Sequence, residues 1–261
     1  MSIGVAFITG AGSGMGRLYA GRLLEQGWQV AAVDVSVAAL ATIRDSEKLL
    51  KLVVDVRDFA AVEVAVQRTE QELGPITRVV NCAAIMPLGA VVDMDPKTVQ
   101  RLFDINVGGL VNVTSATMPR MLSRGAGEFI SFASLAGHVP IFYMGAYGAT
   151  KSAVVAYTET LYQETRGRGV QVLCVCPPVV KTPLLQQGKD TRWPRSLDVL
   201  PMITADVVID AVEKAIRKGR FWVFPGWYTR SSVIVRRVMP GLLWWVVRAF
   251  ERPTDARVVL P

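Results

Sequence analysis

The chain has 261 residues, 51% of them hydrophobic and 20% charged, and carries a formal net charge of +7. That length suits one α/β domain with a substantial buried core. Its three cysteines form no even framework, which argues against a disulfide-stapled secreted domain and predicts a reduced, cytoplasmic protein with no signal peptide ahead of the first strand.

In chain order, the first predicted strand, 4–9, carries Val5-Ala6-Phe7-Ile8 and runs directly into Thr9-Gly10-Ala11-Gly12-Ser13-Gly14-Met15-Gly16, with a helix over 14–26. Glycines at 10, 14 and 16 permit a tight turn, close backbone approach to a pyrophosphate and close helix–strand packing. The free N–H groups of the new helix then face the anion. Gly10, Ser13, Gly14, Met15 and Gly16 are therefore candidate binding residues, although the spacing is Gly-x-x-x-Gly-x-Gly and a ligand-free glycine turn is the alternative. Further strands are expected at 28–34, 50–55, 76–82, 127–134, 170–176 and 220–225, and helices at 37–46, 58–73, 96–123, 147–167 and 204–218. Asp58 and Thr204 suit N-caps, and Gly27, Gly74 and Gly219 suit helix stops. Continuous apolar strands alternating with helices predict a parallel sheet covered on both faces. Cys174 and Cys176 share one strand face and read as small buried hydrophobes, as does Cys82.

Tyr147 and Lys151 stand at i and i+4 on one helix face, and Ser134 lies thirteen residues before the tyrosine at the end of an apolar run. A lysine ammonium beside a phenol favours the phenolate, drawing its ordinary pKa of about 10 toward working pH. A serine hydroxyl can donate to the same substrate oxygen. The trio reads as a proton-transfer device for a carbonyl or an alcohol, though Tyr-x-x-x-Lys alone is a weak signal and most such pairs are surface neighbours.

Together these motifs resemble the short-chain dehydrogenase/reductase family, classical type, from residue 3 to about 225. The likeness comprises the glycine segment at 9–16, Asp55-Val56, Asn81-Cys82-Ala83-Ala84, Asn106, Ser134, Tyr147 to Lys151, and Pro177 through Thr182. It implies a Rossmann-type, three-layer, doubly wound sheet of about seven strands in the order 3-2-1-4-5-6-7, as a single cofactor-binding catalytic domain over 1–225. By the resemblance, Asp55 and Val56 contact an adenine, Asn81 and Ala83 pass along the cofactor, and Pro177, Val180 and Thr182 meet its carboxamide. Cys82, Ala84 and Pro178 replace more usual Asn, Gly and Gly residues. The resemblance also implies that Tyr147 is general acid or base, that Lys151 holds the nicotinamide ribose, that Ser134 orients the substrate oxygen, and that Asn106 holds a water linking Lys151 to solvent. Asp34 ends the second strand eighteen residues beyond Gly16, where a carboxylate can bond the ribose hydroxyls and repel a 2′-phosphate. Ser13 and Val35 stand where a phosphorylated cofactor would want Lys or Arg, so NAD is expected over NADP. No metal is expected. The family likeness implies a homodimer or homotetramer through the long helices.

His138 follows Ser134 into the stretch that walls the expected substrate pocket and is a candidate substrate contact. Val139 to Met144, and a lid over 183–200 carrying Leu184, Leu185, Trp193 and Leu197, point to an apolar ligand, with Leu184 a further candidate contact. Residues 226–261 form a basic, Trp-rich extension expected to pack on the pocket, a partner subunit or a membrane surface. Between Arg217 and Pro261 stand nine Lys/Arg and two Asp/Glu, which accounts for the whole net charge of +7. Nucleic acid is not an expected partner. The expected activity is NAD-dependent interconversion of a secondary alcohol and a ketone on a steroid-, lipid- or terpenoid-like substrate. The alternatives are reduction of a 3-oxoacyl thioester, or a non-catalytic NAD-binding protein at a membrane.

Overall fold

The computed structural model describes residues 4–251; positions 1–3 and 252–261, the last ten of the predicted extension, lie outside them. Seven strands form one parallel sheet: β1 (Val5–Thr9), β2 (Gln29–Asp34), β3 (Leu49–Val53), β4 (Ile76–Asn81), β5 (Gly127–Phe132), β6 (Val170–Val175) and β7 (Trp222–Val223), in the order β3-β2-β1-β4-β5-β6-β7. The doubly wound α/β architecture is the one the alternating pattern predicts. Strand side chains alternate between faces, so Phe7, Val79 and Phe129 enter one apolar layer while Ile8, Val80 and Ile130 enter the other. Both sets are buried, which is why the runs read as continuously hydrophobic.

One layer packs under α3 (Phe59–Glu72), α5 (Gly109–Arg124) and α6 (Gly145–Thr165), the other under α1 (Gly14–Glu25) and α8 (Ala205–Arg217). Asp58 caps α3 by accepting from Ala61 N at 3.1 Å, as expected. Thr204 sits at the N-cap position of α8 without a side-chain capping bond. Gly27, Gly74 and Gly219 have φ of 87°, 97° and 60°, the left-handed geometry that a helix stop favours.

Four boundaries differ from expectation. The helix expected at 37–46 is the short α2 (Val37–Ala41). The single helix expected over 96–123 is α4 (Pro96–Phe103), a π-helical turn (Asp104–Gly108) and α5. The π-turn surrounds Asn106, whose side chain bonds strongly outside the helix, and such bulges concentrate where a side chain is re-aimed. α6 starts two residues before Tyr147 rather than at it. Strand β7 holds only two residues because the chain leaves the sheet at Phe224-Pro225-Gly226. Beyond it, α9 (Thr229–Val238) and α10 (Pro240–Phe250) fold back over the C-terminal ends of the strands, and α7 (Pro183–Lys189) covers the same end. Among the described residues no helix is long and apolar enough to cross a membrane.

Candidate active site

The glycine segment builds a cleft at the end of β1. Gly10 and Gly14 have φ of 65° and 52°, and a Cβ on Gly10 would lie 2.9 Å from Ala83 N. A Cβ on Gly16 would overlap the Gly10 carbonyl oxygen, so α1 can seat this close to the turn only with glycine there. The cleft opens to solvent and is lined by Gly10, Ser13, Gly14, Met15 and Gly16 at one end and by Asp34, Asp55 and Val56 further along. Ala83 and Thr182 also line it. A cradle kept open by glycine backbone at a helix N-terminus fits a dinucleotide pyrophosphate.

Asp34 is held by backbone donors: Gly12 N reaches one carboxylate oxygen and Ser36 N the other, both at 2.9 Å. The turn after β1 thus fixes the carboxylate in the wall of the cleft. Asp55 is locked to Arg57 by bonds of 2.5 to 3.0 Å, and this guanidinium holds its carboxyl below the usual range. Arg57 and Arg101 line this end of the cleft as well, a basic contribution from positions other than 13 and 35. Asn81 is buried, accepts from Thr9 Oγ1 at 3.0 Å, and lines neither cavity; its side chain ties the ends of β1 and β4 together behind the cleft.

A second cavity adjoins the first, sharing Met15, Cys82, Ala84, Thr182 and Leu184 as lining residues. Ser134, Tyr147 and Lys151 all open into it. Ser134 leaves β5 as the N-cap of a short turn, Leu135–Gly137, and accepts from Ala136 N at 3.1 Å, which leaves its hydroxyl proton free to donate. The turn packs directly on α6: a Cβ on Gly137 would lie 2.7 Å from the Lys151 carbonyl oxygen. That contact sets the serine beside the tyrosine and lysine. The Lys151 ammonium donates to the Phe132 carbonyl oxygen at 2.8 Å and lies 5.9 Å from the centre of the Tyr147 ring.

Burial governs both ionisable groups. It pushes the Tyr147 phenol up to about 12, with the Ser134 hydroxyl pulling the other way, and pushes the Lys151 ammonium down to about 8. The expected depression of the phenol by the ammonium is therefore corrected for this state: desolvation outweighs it.

Two other expectations change. His138 is not in the pocket wall. The turn after Ser134 directs its ring behind the cavity, 3.4 Å from Cys176 Sγ, edge-on to Trp222 at 5.4 Å and tilted against Phe224 at 5.7 Å. Cys82, read as core, lines both cavities, and burial raises its thiol. Cys174 and Cys176 are buried as expected. Asn106 lines neither cavity: Ile85 N donates to its oxygen at 2.9 Å, and its two amide protons go to Ile85 O and Thr150 Oγ1, both at 3.1 Å. Thr150 in turn donates to Tyr147 O at 2.7 Å, so the asparagine braces the helix that carries the tyrosine.

Pro177, Val180 and Thr182 line the second cavity, and Leu135 N donates to Pro177 O at 2.8 Å. Despite Pro178 at the usual glycine position, the segment is regular: Val180 bridges Ile203, with Lys181 N and Ile203 N bonding across at 3.0 Å. Leu184, Leu185, Trp193 and Leu197 supply the lid wall as expected, and Ile141 and Met144 the facing loop. Leu200 closes the expected lid stretch and also lines that wall, whereas sequence reasoning missed Met86. It also missed the bonds that close the lid, Met86 N to Gln187 Oε1 at 2.5 Å and Leu88 N to Thr191 Oγ1 at 2.9 Å. The apolar run Ile85-Met86-Pro87-Leu88 after β4 was the available signal.

Residues 4–193 match the family model described as short chain dehydrogenase. The chain is 34% identical over 204 residues to the 2-keto-3-deoxy-L-fuconate dehydrogenase of Xanthomonas campestris, covering 75% of this chain and 67% of that one. A short-chain dehydrogenase/reductase from Burkholderia phymatum in complex with NAD superposes with a TM-score of 0.82 at 27% identity, over 92% of this chain and 95% of that one. A short-chain dehydrogenase from Burkholderia cenocepacia in complex with NADP has the same fold, with a TM-score of 0.79 at 24% identity over 94% and 98% of the two chains.

Proposed function

The chain belongs to the short-chain dehydrogenase family of nicotinamide-dependent oxidoreductases acting on CH–OH groups, and from that membership we propose that it interconverts an apolar secondary alcohol and its ketone with NAD. The observation that carries the reading is the second cavity. Lys151 is the one charged residue lining it among the described residues, and its ammonium is already bonded to Phe132 O. A sugar acid, such as the substrate named for the Xanthomonas relative, brings a carboxylate for which these walls offer no cation beyond Lys151, whose charge is needed beside the phenol, so its burial there costs several kcal/mol. An uncharged, greasy ketone suits walls of Met, Leu, Ile and Trp.

A nicotinamide in the adjoining cleft would supply or accept the hydride. Tyr147 donates its phenolic proton to the ketone oxygen in reduction and takes it back in alcohol oxidation. Ser134 donates a hydrogen bond to that oxygen and stabilises the charge that grows on it. Lys151, anchored to the end of β5, places positive charge beside the phenol and supports proton release. Ser13, Gly14 and Gly16 would hold the pyrophosphate, Asp55 and Val56 the adenine, and Thr182 with Val180 the carboxamide. Asp34 supports NAD, because a fixed carboxylate accepts from ribose hydroxyls and repels a 2′-phosphate.

The test is NADH oxidation against matched panels of cyclic or long-chain ketones, 2-keto acids and 3-oxoacyl thioesters. Turnover at least tenfold higher in kcat/KM on the uncharged ketones supports the reading. Preference for the keto acids overturns the apolar substrate class, and activity confined to the thioesters moves the assignment to acyl reduction.

A further inference from the structure

Helices α9 and α10 divide the apolar residues of the extension between two faces. On α10, Leu243, Trp244 and Val247 turn inward: Leu243 packs on the cluster of Leu135, Val139 and Tyr228, and Trp244 meets Phe142 edge-on at 5.9 Å. Leu242, Trp245, Val246 and Phe250 follow at helical spacing on the opposite face and are exposed, Trp245 by 69%. On α9, Ile234 and Val238 are exposed in the same way, and Met239 continues the strip at the corner between the helices. Arg230, Arg237 and Arg248 are exposed beside it. No acidic residue occurs between Thr229 and Phe250.

An apolar strip with a tryptophan and an arginine rim matches the boundary between lipid headgroups and acyl chains. We propose that the outer face of α9 and α10 docks on an anionic lipid bilayer, lying in its surface. Charge complementarity selects this occupant over a second copy of the chain. A two-fold contact through the strip would set one arginine-rimmed face, without a carboxylate of its own, against another. Because the inner face of the same helices roofs the loop that lines the second cavity, the docked chain would carry its pocket close to the source of an apolar ligand. The docking itself does not depend on the substrate reading.

The test uses the full chain in co-sedimentation with vesicles of phosphatidylcholine alone and of equal parts phosphatidylcholine and phosphatidylglycerol. The expected result is binding to the mixed vesicles, weakened by added salt and by omission of the anionic lipid. Arg237→Glu should lower the partition coefficient by about tenfold or more, since each basic residue near an anionic surface contributes roughly fivefold and the change also adds a repelled charge. Trp245→Glu should lower it by at least about tenfold. Turnover of a water-soluble ketone should stay at the wild-type value in both variants, which separates lost docking from lost folding. Failure of the wild-type chain to sediment with mixed vesicles overturns the proposal. So does a wild-type dimer that Trp245→Glu converts to monomer, because the strip would then be a subunit interface.

Discussion

The Lys151 ammonium and the Phe132 carbonyl oxygen lie 2.8 Å apart, a bond that pins the lysine to the last residue of β5 while Tyr147 stands one helical turn before it. The sheet, rather than the helix alone, fixes where the positive charge sits. Removing only the phenolic hydroxyl therefore leaves the frame intact. Tyr147→Phe should lower kcat with NADH and an apolar ketone by about a thousandfold, within the range for loss of a general acid. NADH affinity, read by fluorescence titration, should stay within about threefold. Equal turnover in variant and wild type would rule out the assigned acid.

Burial gives the same lysine a pH signature. Its folded value of about 8 lies below the ordinary 10.5, so between those two pH values the unfolded chain binds more protons at this site than the native one. Stability contributed by this group then rises with pH across that window, and the penalty for burying the ammonium is in full force below pH 8. Lys151→Met removes the titration. The difference in unfolding free energy, wild type minus variant, should grow by on the order of 3 kcal/mol from pH 8 to 10.5, measured by urea midpoints at constant salt. A flat difference would show that the lysine is not desolvated.

Two glycines of α1 should respond in opposite directions to the same methyl group. Gly16→Ala drives a Cβ into the Gly10 carbonyl and must push helix from turn, costing about 2 kcal/mol or more and weakening NADH binding at least tenfold. Gly21 has open space around its Cβ direction, so Gly21→Ala should stabilise the chain by about 0.5 to 1 kcal/mol through helix propensity, with NADH affinity unchanged. Thermal midpoints and NADH titration on both variants check the pair.

The parallel sheet covered on both faces and the trio were legible because each rests on spacing within one element or on repeated strand–helix alternation, whereas the strand order came from the family resemblance. Tyr147 and Lys151 share a helix face by periodicity, and Ser134 closes the apolar run that begins with β5. His138 was misplaced because the short turn after Ser134 rotates the chain, and no local spacing encodes that rotation. Met86 and Gln187 meet across a hundred residues of sequence, so the closure of the lid belongs to tertiary packing alone. The phenol pKa failed for a related reason: adjacency of Lys151 was visible, whereas the depth at which both groups are buried was not.

Asp34 should set cofactor choice. Its oxygens are fixed by Gly12 N and Ser36 N, so Asp34→Asn nearly preserves shape while removing the charge that repels a phosphate. The ratio of kcat/KM for NADH over NADPH should fall by about ten- to a hundredfold, which corresponds to about 1.4 to 2.7 kcal/mol of discrimination. A ratio that does not move would assign the choice to Arg57 or Arg101 at the far end of the cleft.

Glu251 reaches back to the lid and accepts from Ser196 N at 2.7 Å, with both residues buried. Leu197, next in the chain, lines the second cavity, so this bond couples the end of α10 to the pocket wall. Glu251→Ala leaves the Ser196 N–H buried without its acceptor, a loss of about 1 to 3 kcal/mol that opening the lid segment can relieve. The substitution should therefore raise KM for a bulky apolar ketone about fivefold or more, while a small ketone that never touches Leu197 is turned over as before. Lid mobility should rise in parallel, seen as faster amide hydrogen exchange over 195–200. Uniform loss on both ketones, with unchanged exchange, would show that Glu251 supports the fold as a whole and does not hold the lid.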